Sequence, residues 1–218
     1  SCGGKISILL VAVSEAGFPT DLLTIAAESL AQRQAVCFRL PVNGGRAQKL
    51  GKVFEASKLD GDEFLFVQAP RPHLIIIGAV HISQHLAIMA IQTGFDVTVI
   101  DPRRTFATAE RFPGIKLVFD WPDIALDDIS LDGETSLVAL THDPKIDDTA
   151  LHQVLGKPLF HIACLGSRRT HAARLERLSE AGFSDADTAR IKGPAGLNIG
   201  AKTPAEIAVS VLGELVAA

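Results

Sequence analysis

Two hydrophobic rhythms divide the chain into parts of different texture. In the first part the apolar run KISILLVAV at residues 5–13 predicts a buried strand. Pro19, Thr20 and Asp21 supply a helix start, and Leu22, Leu23, Ala26, Ala27 and Leu30 recur at helical spacing to about Gln34. AVCFRLPV at residues 35–42 predicts a strand, followed by a hairpin turn at Asn43-Gly44-Gly45. Two more strands are expected around residues 48–55 and 63–69, with Asp60-Gly61-Asp62 as the turn between them. Together these predict a small α+β module over residues 1–70, built on an antiparallel meander. Pro70-Arg71-Pro72 makes a short stiff boundary after it.

Beyond Pro72 the pattern changes. HLIIIG at residues 73–78 is apolar without a break, as expected of a parallel strand buried on both faces. A helix over 82–93 stops at Gly94, and a strand over 96–101 follows. The pattern then gives a short helix at 105–111, strands at 116–120 and 135–142, and a helix at 147–156. A strand at 159–166 and a long helix at 168–181 complete the alternation. The last helix opens on Thr203-Pro204-Ala205-Glu206, a capping box with proline at its first helical position. Ile207, Ala208, Val211, Leu212 and Leu215 form its apolar stripe. Strands alternating with helices imply right-handed crossovers. The expected class is therefore α/β, a Rossmann-like doubly wound parallel sheet over residues 73–218 preceded by the small α+β module. The ligand site is expected at the loops that follow the parallel strands.

Composition narrows the function classes. Of 218 residues 47% are apolar, enough for a well-buried core. The net charge is −4 and basic residues do not run together beyond pairs, which argues against a nucleic-acid partner. No apolar run approaches the roughly 18 to 20 residues of a membrane span, and no signal peptide is visible. The three cysteines, Cys2, Cys37 and Cys164, form no C-x-x-C pair, so no clustered metal site is expected. An odd, low count suits a reducing cytoplasm. Met89 is the sole methionine, so the chain is expected to start part-way through a gene product, with residues 1–70 a truncated N-terminal part.

Five segments carry candidate chemistry. Gly78-Ala79-Val80-His81-Ile82-Ser83 follows the first parallel strand, where a dinucleotide fingerprint wants G-x-G-x-x-G. Only Gly78 fits; Val80 stands where a phosphate would approach and Ser83 replaces the third glycine. Asp101 does lie at the end of the second strand, where a ribose-binding acid belongs. Thr141-His142-Asp143 ends the fourth strand. His142 is a candidate acid, base or donor to a ligand, and the plainer alternative has Asp143 capping a helix beside a solvated His142. Leu165-Gly166-Ser167-Arg168-Arg169 opens a helix. Free backbone N–H groups there bind anions, and two arginines at a helix N-terminus oppose the macrodipole unless an anion is present. The loop at residues 193–201 spaces Gly193, Gly196 and Gly200 around Asn198, implying specific backbone conformations over a ligand. Cys2, flanked by Gly3, is a candidate soft contact, whereas Cys37 and Cys164 read as core.

These motifs in this order resemble the xanthine dehydrogenase accessory factors of the XdhC type. The matching pieces are CGGKISILL at Cys2, HLIIIGAVHISQHLA at His73, DVTVIDPRRTFA at Asp96, RFPG at Arg111 and THDPKID at Thr141. LGSRRTHAARLERLSEAGF at Leu165 and GPAGLNIGAKTPAEIAVSVL at Gly193 are the longest and most specific. The family's first loop is closer to G-A-G-H-x-G, so Val80 and Ser83 depart from it. The resemblance implies a cytoplasmic chaperone of the molybdenum cofactor (molybdopterin) rather than a catalyst. Such a protein holds the cofactor while a cysteine desulfurase supplies its sulfido ligand, then passes it to an apo molybdenum hydroxylase such as xanthine dehydrogenase. On this reading the phosphate sits at Gly166, Ser167, Arg168 and Arg169. The molybdenum end faces His142, His81 or Cys2. The competing expectations are an NAD(P)-dependent oxidoreductase using Asp101, and an interaction module that binds apo-hydroxylase alone. A homodimer is expected through an edge strand near Lys5.

Overall fold

The computed structural model describes residues 6–218, and the chain divides into two compact units, Ser1–Pro70 and Arg71–Ala218. The first unit holds α1 (Thr20–Ala31) and strands β1 (Val36–Pro41), β2 (Gln48–Lys49), β3 (Lys58–Asp60) and β4 (Glu63–Gln68). The four strands form an antiparallel sheet in the order β2-β1-β4-β3. Phe38 is fully buried at its centre, with Phe18 edge-on at 5.1 Å and Leu22, Ala26, Val36, Leu40 and Ala47 around it. The turn expected at residues 60–62 closes the β3–β4 hairpin, with Gly61 at φ +61°.

Two expectations in this unit fail. Residues 6–12 form no ladder among the described residues; Val13 alone makes an isolated bridge, to Phe18. Leu9 and Val11 pack on the core while Ile6, Ile8 and Leu10 stay exposed. An apolar run can lie on a core through alternate side chains without a strand edge to pair with, and the sequence pattern does not distinguish the two. Lys5, near which the dimer contact is expected, lies outside the described residues. The strand expected at 48–55 shrinks to two residues, and Phe54 beyond it sits under the ammonium groups of Lys52 and Lys58, each 5.1 Å from the ring centre.

The second unit is the doubly wound α/β sheet. Strands β5 (His73–Ile77), β6 (Asp96–Ile100), β7 (Lys116–Val118), β8 (Thr135–Ala139), β9 (His161–Cys164) and β10 (Ile191–Lys192) lie in the order β10-β9-β8-β5-β6-β7, every pair parallel. Direction of winding reverses between β5 and β8, the switch point at which such sheets open a crevice. The unbroken Leu74–Ile77 run is explained by burial on both faces. Leu74 and Ile76 pack with α2 (His81–Gln92) and α7 (Pro204–Ala217). Ile75 and Ile77 pack with α3 (Pro122–Asp127) and α4 (Pro144–Val154). α5 (Arg168–Glu180) and the short α6 (Asp185–Thr188) follow β9.

The helix expected at 105–111 is absent. Residues 103–112 make successive turns, with Phe106 N donating to Arg103 O and Phe112 N to Thr108 O. The Arg111 guanidinium draws them inward by donating to the carbonyls of Ala79 and Phe106. α4 starts earlier than expected because Asp143 caps it and Pro144 occupies its first turn. The pieces α3, α6 and β10 are too short for periodicity to show.

Candidate functional site

At the switch point the first loop turns its polar groups inward. Gly78 has φ +103°, and a Cβ there would stand 2.4 Å from the Thr141 methyl, so this glycine serves the approach of the β8 loop. Gly78 N donates to Ile100 O and Ala79 N to Asp101 Oδ2 at 2.7 Å. Ser83, fully buried in the third glycine's place, donates its hydroxyl to Gly78 O. Asp101 is fully buried as well. Its Oδ1 accepts from Arg103 N and Nε, both at 2.9 Å, and its Oδ2 accepts from Arg103 Nη2 at 2.8 Å. Burial pushes this carboxyl up, but the Arg103 and Ala79 hydrogen bonds outweigh it and hold the group below the usual carboxylate range. The acid expected to meet a ribose therefore presents no free carboxylate to the crevice. His81, the first residue of α2, is exposed there.

After β8, Thr141 donates to Asp147 through its hydroxyl at 2.6 Å and its N–H at 3.3 Å. Asp143 accepts from Lys145 N at 3.0 Å, so it is a helix cap. Between them His142 is exposed and sits at φ +61°, a left-handed conformation that a non-glycine residue adopts at a cost of about 1 to 2 kcal/mol. The imidazole is thus projected into solvent from a strained hinge beside the crevice.

After β9, Gly166 at φ +144° lets the chain turn into α5. Ser167 caps that helix, accepting from Thr170 N at 3.1 Å. Arg168 and Arg169 follow in its first turn, both exposed and without an ion pair among the described residues. With no acidic residue in that turn, the positive end of the helix dipole and two guanidiniums face outward together.

The glycine loop lies across this end of α5. Ala195 N donates to Cys164 O, Gly196 N to Glu214 Oε2 at 2.8 Å, and Leu197 N to Ser210 O. Those amides anchor the loop to β9 and α7 rather than facing a ligand. Gly196 is needed for packing, because at φ +95° a Cβ would fall 2.1 Å from Ser210 Oγ. Asn198 and Gly200 are exposed, and around Gly200 there is open space. Between loop and helix lies a cleft of about 420 Å³ whose wall carries Arg168, Asn198 and Ser210 on an apolar lining that includes Leu165, Pro194 and Ile207. An apolar lining with one arginine suits a ligand that combines an apolar body with an anionic group.

The structure thus brings Arg168, Gly196, Asn198 and Gly200 to one cleft, with Gly166 and Ser167 between its lining residues Leu165 and Arg168. It puts Gly78, Asp101 and Asp143 to internal structural use. Cys2 lies outside the described residues. Cys37 and Cys164 are buried, and burial pushes the Cys164 thiol up to about 12. Among the described residues no three His, Cys, Asp or Glu side chains gather as a metal site, and no helix is long and apolar enough to cross a membrane. Two residues inside the segments THDPKID and LGSRRTHAARLERLSEAGF were given no role in the sequence reading, Asp147 and Arg174, buried to 1% and 2% exposure. A signal existed: each stands in the apolar stripe of its helix, Asp147 with Ile146, Ala150, Leu151 and Val154, and Arg174 with Leu178.

Fold and site together define a Rossmann-type unit whose first loop has been closed and whose open surface lies at β9 and the last loop. The chain belongs to the XdhC family: the XdhC Rossmann domain matches residues 74–215. Over 70% of this chain it is 34% identical to the uncharacterized protein YqeB of Escherichia coli, covering 28% of that protein. A probable xanthine dehydrogenase component of Bacillus subtilis is likewise 34% identical over 70% of this chain, which covers 45% of it. Over 98% of its length the chain is 28% identical to the molybdenum cofactor insertion chaperone PaoD of Escherichia coli, covering 59% of it. The chain therefore spans less than two thirds of each of these curated relatives. A solved xanthine dehydrogenase from Bacillus halodurans shares the fold, with a TM-score of 0.70 at 24% identity over 90% of this chain and 63% of that one.

Proposed function

We propose that this protein binds the molybdenum cofactor and serves its maturation, holding it for sulfuration and delivering it to an apo molybdenum hydroxylase in the cytoplasm. The observation that carries the reading is the pair Arg168 and Arg169, exposed and without an ion pair among the described residues, at the positive end of α5 beside the 420 Å³ cleft of the glycine loop. The cofactor combines a phosphate with a flat pterin and an anionic metal centre. Arg168 and the first amides of α5 would hold the phosphate, the cleft walls would hold the pterin, and His142 and His81, exposed on the loops after β8 and β5, would be the contacts for the metal end. When bound in the client enzyme, the cofactor would supply the molybdenum-centred redox step; this chain's residues would bind and orient it. Kinship with a molybdenum cofactor insertion chaperone supports the same ligand. A cysteine desulfurase and the apo-hydroxylase are the partners in this reading.

The test is direct. Protein purified from cells that make the cofactor carries molybdopterin, read as its fluorescent oxidation product. Arg168→Ala combined with Arg169→Ala lowers affinity for the isolated cofactor at least tenfold, because charge-assisted contacts to a phosphate are lost. Unchanged affinity in that double variant overturns the placement. Because Asp101 is consumed by Arg103, NAD(H) at millimolar concentration gives no thermal shift.

A further inference from the structure

Behind the loops that follow β8 and β9 the buried charges of Asp147 and Arg174 make an arrangement that ion pairing does not explain. Arg174 Nη2 is 3.7 Å from Asp147 Oδ2, outside hydrogen-bond distance, and Nε is 4.0 Å from Asp148 Oδ1. Asp148 is already taken by Arg177, with contacts of 2.6 and 3.1 Å. Asp147 Oδ2 and Arg174 Nε and Nη1 have no hydrogen-bond partner. The good bonds of the pair go elsewhere. Arg174 Nη2 donates to Leu165 O at 3.2 Å, the carbonyl before Gly166. Asp147 Oδ1 holds Thr141, whose methyl group lies against Gly78. One turn before Arg174, the buried Nδ1 of His171 is also unpartnered, and its ring rests on Gly193, where the glycine loop begins. One polar cluster thus touches each chain segment that frames the crevice: 78, 141–143, 165–167 and 193.

We propose that Asp147 and Arg174 are positioning residues that set the spacing of the β8 and β9 loops for ligand binding. This inference rests on the reading that the ligand sits at those loops. A buried ion pair adds little over an apolar pair of similar volume, so stability alone gives no reason for charges at these two stripe positions. Anchoring a carbonyl and a threonine at the mouth of the site does, since a ligand loop held in its bound geometry forfeits less entropy on binding.

The variants are Asp147→Leu, Arg174→Met and the two combined, in the full chain. Each single change leaves an unpaired buried charge and lowers Tm by several degrees. The combination removes both charges and recovers most of that loss. Two further readouts follow position rather than stability. Amide hydrogen exchange in the unliganded protein speeds up at least tenfold at 141–143, 165–167 and 193–196 in the combined variant, with the sheet strands unchanged. Affinity for molybdenum cofactor released from a molybdenum hydroxylase falls at least tenfold in the same variant despite its recovered Tm. If exchange and affinity return to wild type along with Tm, the pair is purely structural and the proposal is wrong. If the loops loosen as stated but the wild-type protein binds no cofactor, positioning stands and the proposed function falls.

Discussion

At His142 one backbone angle separates a solvated loop histidine from a ligand contact. A non-glycine residue at φ +61° stores strain, and the side chain that bears it is exposed. His142→Gly is therefore expected to stabilise the protein by about 1 kcal/mol in urea unfolding while weakening cofactor affinity. Stabilisation without loss of affinity would assign the strain to the loop alone. Asp101 gives the opposite case, a residue of functional type committed to structure. Asp101→Asn is expected to cost about 2 to 3 kcal/mol, since hydrogen bonds to a buried charged group are lost and the partly exposed Arg103 is left without its partner. Its carboxyl is lowered in the fold, so its contribution is present above the ordinary value of 3.8 and disappears as pH falls through the folded value. Urea unfolding of Asp101→Asn against wild type should therefore differ at pH 7 and converge toward pH 2.

At the scale of elements, legibility followed length and burial. β5 carries a continuous apolar run and β6, β8 and β9 are mostly apolar because helices cover both faces of the sheet, and α7 announces itself through Thr203 and Glu206, whose reciprocal capping bonds are present. The segments that misled have apolar residues without regular backbone. Residues 6–12 bury Leu9 and Val11 without a ladder, and residues 103–112 are held in turns by Arg111 reaching to Ala79, 32 positions away, which no local pattern can show. The proposed cleft was legible as chemistry at Arg168, Arg169 and the glycine loop. It was illegible where one charged position in an apolar stripe answers another on a neighbouring helix. Within the glycine loop the glycines differ in ways that spacing hides. Gly196→Ala meets both a positive φ and Ser210 Oγ, and is expected to cost about 3 kcal/mol. Gly200→Ala meets open space and suffers from its φ alone, about 1 kcal/mol. Equal losses in chemical denaturation would mean that the loop does not rest on α7 through Gly196.

At the scale of the whole chain, two cores of unequal depth imply two stabilities. The second unit packs apolar side chains on both faces of a six-stranded sheet, through two clusters. The first has one cluster of seven buried residues on one face of a short four-stranded sheet, three of them Phe18, Phe38 and Leu22. With apolar burial at roughly 25 cal/mol per Å², the smaller core supports the smaller free energy. Calorimetry is therefore expected to show two transitions, the first belonging to residues 6–70. Phe38 is fully buried, edge-on to Phe18 and stacked with Phe66, so Phe38→Ala removes about 3 to 5 kcal/mol from that unit. That loss is enough to abolish the lower transition while the upper one keeps its midpoint. Cofactor affinity measured on the same variant then divides the labour between the units. If the cleft at α5 and the glycine loop binds the cofactor by itself, affinity survives the melting of the first unit. If affinity is lost while the second unit stays folded, part of the binding surface belongs to residues 1–70, the region that contains Cys2.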